Sequence, residues 1–221
     1  SGDHADGVLE EAGKQGRVII RRIYGDWTST AGKKWKSVLA DLAIVPMQQF
    51  QNTTGKNATD SALIIDAMDL LHGDKAEVFC IVSSDADFTR LASRLREDAK
   101  SVVGIGASKT PRAFVRACDR FIFLENLRSE PETPDAPKKP RPPRAAPKEA
   151  GKLLRRAYDD CEGEDGFVFL GTLGQALLKL DPSFDSRTYG FKKLVDLVDS
   201  SPAFDVAKHP SKNARVVQLR R

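Results

Sequence analysis

The stretch AEVFCIVSSDADFTRLASRLRE, residues Ala76 to Glu97, decides how the first half of the chain folds. Six apolar or small residues from Val78 to Ser83 read as a strand buried on both faces, and two carboxylates, Asp85 and Asp87, stand where the chain turns into a helix. In open α/β sheets the ligand crevice lies beyond the carboxyl ends of the strands, so both acids fall where such a site is built. Outward from this stretch, β-rich runs alternate with helical periods. Strands are expected at 17–24, 43–47, 77–83, 101–105 and 120–124, and helices near 3–15, 34–41, 57–73, 87–99 and 111–117. That alternation requires right-handed crossovers and predicts an α/β fold, a mostly parallel sheet flanked by helices.

A third acid joins the pair. TTGKNATDSALIIDAMDLLHG (Thr53 to Gly73) opens with turn residues and continues as a helix, with Ala62, Ile65, Met68 and Leu70 among its packing positions and Asp60 in its first turn. Three carboxylates converging without a basic partner repel one another unless a hard cation sits between them. Oxygen-only donors suit Mg²⁺ or Mn²⁺, and the chemistry that follows is metal-assisted phosphodiester hydrolysis. A plainer use stands beside it: Asp85 or Asp87 caps the following helix. Ser83 and Ser84 show no sequence relation to His4, His72 or His209, so no Ser-His triad is supported, and VVGIGASKTP lacks the full dinucleotide fingerprint.

Composition sets the bounds. The 221 residues, 40% of them hydrophobic, suffice for one full α/β core and a small second domain. Cys80, Cys118 and Cys161 are odd in number and widely spaced, which fits neither a disulfide framework nor a zinc knuckle, so a reducing cytoplasm is expected. No apolar run approaches the roughly 20 residues of a membrane span, and no signal-peptide pattern is seen. SEPETPDAPKKPRPPRAAP (Ser129 to Pro147) holds seven prolines and no large apolar residue, and it reads as an extended tether. The division is thus 1–128, a linker over 129–150, and 151–221. The net charge of +4 is spread thinly, except that Lys208 to Arg221 carries Lys208, Lys212, Arg215, Arg220 and Arg221 with no acid.

GKNATDSALIIDAMDLL, VSSDADFTRLASRLRE and VVGIGASKTPRAFVRACDRFIFLENL together resemble the NYN domain of LabA-like proteins, a branch of the PIN-like nuclease fold, over most of residues 1–127. The resemblance implies a metal-dependent ribonuclease with an acidic pocket at the strand ends. On matching positions it implies catalytic and metal-holding roles for Asp60, Asp85 and Asp87, with Asn57 and Ser84 beside them as supporting groups. One departure stands out. Such domains usually begin with an apolar strand ending in aspartate, whereas SGDHADGVLEEAGKQG reads as the helix after that strand, and Asp3 has no strand before it. Loss of a central strand would leave unpaired backbone groups, so further residues upstream are expected to supply it.

In the second half, Leu173, Leu177, Leu178 and Leu180 share one helix face, and Phe191, Leu194, Val195 and Val198 share another. AFDVAKHPSKNARVVQLRR (Ala203 to Arg221) reads as two short strands around a polar turn, a winged-helix outline with basic residues on its wing. LGQALLKLDPSFDSRTYGFKKLVDLV (Leu173 to Val198) resembles the OST-HTH, or LOTUS, domain, which implies RNA binding or protein docking. The acid-free ending favours RNA, because phosphate contacts need Lys and Arg with few opposing acids. Expected RNA contacts are Lys208, Lys212 and Arg215 on the wing, Lys192 and Lys193 on the helix after Asp185, and Tyr189 as a stacking ring or a core tyrosine. The combined expectation is a Mg²⁺- or Mn²⁺-dependent ribonuclease acting on RNA held by a tethered LOTUS domain. The alternative is a non-catalytic RNA-binding or protein-interaction regulator, with a homo-oligomer or protein partner engaged through the LOTUS domain.

Overall fold

A computed structural model of the chain describes residues 4–28, 35–50, 58–127, 145–161, 166–209 and 214–220. It divides into two compact units, Ser1–Cys118 with Phe123–Glu130, and Asp119–Ile122 with Pro131–Arg221. The first half alternates as its periodicity requires: α1 (Ala5–Gly13), β1 (Arg22–Gly25), α2 (Lys36–Asp41), β2 (Val45–Gln48), α3 (Ala58–His72), β3 (Val78–Val82), α4 (Thr89–Glu97), β4 (Ser101–Gly106), α5 (Arg112–Ala117) and β5 (Arg120–Phe123). Strand β1 starts at Arg22, not at residue 17: the apolar Val18, Ile19 and Ile20 line an open hollow of about 420 Å³ together with Ala43 and Val45.

β1 and β2 pair in parallel from Arg22↔Val45 to Gly25↔Gln48, and β3 and β4 pair in parallel from Val78↔Ser101 to Val82↔Ile105. Strand β5 completes a parallel sheet of order β3-β4-β5. The single sheet expected from the alternation is therefore two ladders among the described residues, since no described strand bridges β1 and β3.

One reading of the opening stretch needs correction. β3 is not buried on both faces: Phe79 and Ile81 are buried, Val78 and Cys80 are half-buried, and Val82 is 49% exposed. β4 is the strand enclosed on both sides, with every residue from Val102 to Gly106 buried. Position in the sheet explains the exchange, because β4 has a neighbour along each edge whereas β3 has one among the described strands. Helix α4 buries Leu91, Ala92 and Leu95 on one face, at the spacing a helical stripe demands, and the sequence leaves arginines on the other. At its N-terminal end Phe88, 3% exposed, packs against Phe114 with ring centroids 6.4 Å apart.

The second half contains α6 (Pro147–Asp159), β6 (Val168–Phe169), α7 (Leu170–Leu180), α8 (Leu194–Asp199), β7 (Phe204–Lys208) and β8 (Arg215–Leu219), with an antiparallel sheet of order β6-β8-β7. Its core gathers Leu154, Tyr158, Leu173, Leu177, Leu197, Val198, Phe204 and Val217. Tyr158 and Phe204 meet at 5.4 Å between centroids, and the Tyr158 hydroxyl donates to Gly166 O at 3.0 Å, which satisfies the one polar atom of a ring that is otherwise buried. Helix α6 begins at Pro147, inside the segment whose composition predicts a tether. Proline is tolerated at a first helical position, where its missing N–H has no partner to lose, and Ala150 is fully buried in the core. Residues 129–144 of that segment lie outside the described residues.

Candidate active site and nucleic-acid interface

The carboxylates are placed by the end of β3 and the start of α3. Ser83 N–H donates to Ile105 O at 2.9 Å, continuing the ladder one residue beyond β3 before the chain turns. The turn is then closed by side chains. Asp85 N–H donates to Ser83 Oγ at 3.1 Å, and Asp87 N–H donates to Asp85 Oδ1 at 3.0 Å, so Asp85 caps the short 3₁₀ helix Ala86–Phe88. Ala107 N–H donates to Ser84 Oγ at 2.8 Å, tying this turn to the end of β4. The Phe88 ring, sunk in the core, pins the residue after Asp87. Local hydrogen bonding and one apolar anchor thus fix two exposed acids that have no core of their own to rest on.

Asp60 arrives from the first turn of α3. One oxygen from each of Asp60, Asp85 and Asp87 lies within 4.8 Å of the others, Asp60 half-buried and the other two exposed. Burial, then the charges of Asp85 and Asp87, push the Asp60 carboxyl above its ordinary range. That repulsion is what a divalent cation would relieve, and the all-oxygen donor set fits Mg²⁺ or Mn²⁺. Helix α3 is itself held to the other ladder, where Asp66 accepts hydrogen bonds from Arg22 Nη1 and the Tyr24 hydroxyl. Burial alone would raise the Asp66 carboxyl, but those bonds and the Arg22 charge outweigh it and keep it below its ordinary value. Asn57 lies outside the described residues.

Two further acids at strand ends escaped the sequence reading. Asp26 follows β1 and accepts from Thr28 and from Gln48 Nε2, which keeps its carboxyl low. Glu125 follows β5 and accepts from the Ser108 backbone N–H at 2.9 Å and hydroxyl at 2.8 Å. Each stands one to three residues past an apolar strand, the signal that identified Asp85. Burial pushes the Cys80 thiol up to about 12, which disfavours the thiolate at neutral pH.

In the second half Lys208 and Arg215 are exposed cross-strand partners at the turn end of the β7-β8 hairpin. Lys212 lies outside the described residues. Arg220, part of the same basic run, is instead paired with Asp205 at 2.8 Å. Lys192 and Lys193 are exposed, but they precede α8 and do not ride on a helix, because Gly190 at φ +87° ends the Ser186–Tyr189 turn in the left-handed region. Tyr189 is half-buried against the core, its ring 6.0 Å from Phe184, and burial followed by the Asp181 and Glu149 charges raises its hydroxyl. One side of the ring thus packs on the core, as the core-tyrosine alternative expects.

The parallel sheet of order β3-β4-β5 flanked by helices fits a PIN-like NYN fold, and the three carboxylates stand beyond one of its strand ends, where such sheets bind ligands. The chain belongs to the NYN domain family: that family's model matches residues 2–125, and the OST-HTH/LOTUS domain matches residues 142–216. Together the two domains support an RNA-related, nuclease-type function. A search of curated proteins gives no match. Among solved structures, the solution NMR structure of an uncharacterized protein of Nitrosomonas europaea is similar at 28% identity over 42% of this chain and 90% of that one, with a TM-score of 0.30. Among the described residues no helix is long and apolar enough to cross a membrane.

Proposed function

We propose that the protein is a Mg²⁺- or Mn²⁺-dependent ribonuclease of the cytoplasm, acting on RNA that its LOTUS domain holds. The convergence of Asp60, Asp85 and Asp87 to within 4.8 Å carries this reading. Those three carboxylates would hold the ion, and an ion so held supplies charge neutralisation at the phosphate and an activated water. The chain's own part is positional. Ser83 and Ser84 fix the turn, the Asp87 N–H engages one Asp85 oxygen and so sets that carboxylate's plane, and Phe88 keeps the pair from swinging outward. A Pro-rich tether of roughly 20 residues would keep bound RNA at an effective concentration near the millimolar range.

Replacing Asp85 with Asn tests the reading, since it removes charge and leaves volume. RNA cleavage by the full chain is expected to fall by about a hundred-fold or more, with the melting temperature little changed. Undiminished cleavage by the variant, or by the unaltered protein in EDTA, defeats the proposal. Intact RNA binding with no cleavage by the unaltered protein at any Mg²⁺ or Mn²⁺ concentration would favour the non-catalytic regulator.

A further inference from the structure

The wing sheet of the second half has two faces, and the register separates them. Val168, Val217 and Val206 form one cross-strand row whose first two members are fully in the core. The next row is Phe169, Val216 and Ala207, so these residues, with Phe167 and His209 two positions along their strands, lie on the face turned away from that core. Phe167, Phe169 and His209 gather there into one cluster. Phe169 and His209 are stacked at 5.3 Å with an interplanar angle of 19°, and Phe167 meets His209 edge-on at 5.1 Å and Phe169 edge-on at 6.0 Å. All three are only partly buried, while Val216 among them is 1% exposed.

Beside the rings stands a charge arrangement that an isolated sheet disfavours. Lys208 and Arg215 are direct cross-strand partners of like sign, both exposed, with no ion pair among the described residues. Like charges directly opposite each other are destabilising, and an anion at the hairpin end would offset that cost. His209 follows Lys208, and its backbone N–H donates to Ala214 O at 2.9 Å, so the ring is held at the same end of the hairpin as the two cations.

We propose that Phe167, Phe169 and His209 form a stacking platform for an unpaired RNA base, with the neighbouring phosphates taken by Lys208 and Arg215 across the hairpin end. The inference rests on the RNA-binding reading and adds to it where the base lies. Rings on one face and cations on the other mean that the RNA strand turns around the end of the wing. Every base has a π-face, so such a platform selects unpaired over paired RNA with little regard to sequence. A protein partner would use the rings too, but it would leave the paired Lys208 and Arg215 charges without a general answer, whereas RNA supplies ring faces and phosphates at once.

The test compares two labelled probes in EDTA on the full chain: a 12-nucleotide oligouridylate, and an abasic ribose-phosphate strand of the same length. The unaltered protein is expected to bind the first about ten-fold or more tighter than the second. A triple variant, Phe167→Leu, Phe169→Leu and His209→Leu, keeps apolar cover over Val216 but cannot stack, and it should bind both probes at the abasic level. Lys208→Ala with Arg215→Ala should weaken both probes alike. If the triple variant melts early, His209→Ala at the hairpin end replaces it and should lower oligouridylate affinity several-fold with the abasic probe unaffected. No preference in the unaltered protein, or a preference that survives loss of the rings, overturns the platform while RNA binding stands; in the second case the rings are free for protein docking. Failure of the unaltered protein to bind either probe at low salt overturns the RNA reading itself.

Discussion

The carboxylate turn after β3 and the wing of the second half are both short segments carrying charge, yet they are held in opposite ways. In the turn, three acids of like sign are forced within 4.8 Å by elements from different parts of the chain, with Phe88 sunk in the core beneath them. In the wing, two cations sit opposite each other on one hairpin, with partly exposed rings beside them. The first arrangement stores repulsion at a rigid point, which a small hard ion would relieve. The second spreads charge and ring surface along an edge, as suits a long flexible polyanion. The lesson is that charge sign alone separates these sites less well than the rigidity of what lies beneath the charge.

The largest expected effect comes from removing that rigidity. Phe88→Ala should destabilise the first unit by about 3–5 kcal/mol, because the buried ring is replaced by a residual cavity. It should also abolish any stabilisation by Mn²⁺, while RNA affinity, read by titration, stays near its original value if the wing supplies it. Loss of RNA affinity to the same extent would dissolve the contrast between the two sites.

Next is the repulsion itself. Because the folded-state pKa of Asp60 is raised above 3.8, the group's favourable contribution is present below that pH and is lost as pH rises through the raised value. Asp60→Asn should therefore flatten that fall in the metal-free protein, and it should also cancel the rise in Tm expected of the unaltered chain with Mn²⁺. Thermal melting between pH 3 and 8, with Mn²⁺ and with EDTA, reads both.

On the wing, Lys208→Ala together with Arg215→Ala is expected to lower the slope of log affinity against log salt by about 2, one for each phosphate no longer neutralised, on all RNA sequences alike. An unchanged slope would make the basic ending a solvated surface. The smallest effect concerns the brace that aims helix α3. Tyr24→Phe removes one hydrogen bond to Asp66 and should cost about 1 kcal/mol at neutral pH. Since the Asp66 carboxyl is held below 3.8, its contribution is present above that pH and is lost as pH falls through the lowered value, so the difference between the two proteins should shrink in acid.

How much of the molecule is legible in its sequence differs element by element. The strand-helix alternation from Arg22 to Phe123 follows from apolar periodicity, and Asp60, Asp85 and Asp87 are legible because strand ends and helix starts are local signals. So is the core face of α7, where Leu173 and Leu177 are buried; in α8 the buried residues are Leu197 and Val198, and Phe191, expected on that helix's face, precedes the helix. The burial of β3 is not, because a run of apolar residues does not reveal how many neighbours a strand has. Residues 147–150 mislead for another reason: a proline-rich composition conceals that its last proline sits at a helix start.

Sequence by itself determined most of the element types and the acids that stand at a strand end and a helix start, all of which depend on residues near one another in the chain. Only the tertiary structure decided the rest. It brought Asp60 to Asp85 and Asp87, braced Asp66 against Arg22 and Tyr24, set Tyr189 against the core, and gathered Phe167, Phe169 and His209 on one face. Each of these joins residues from separate elements, and which of them meet depends on strand register and helix docking, which are settled by long-range packing that no local pattern encodes.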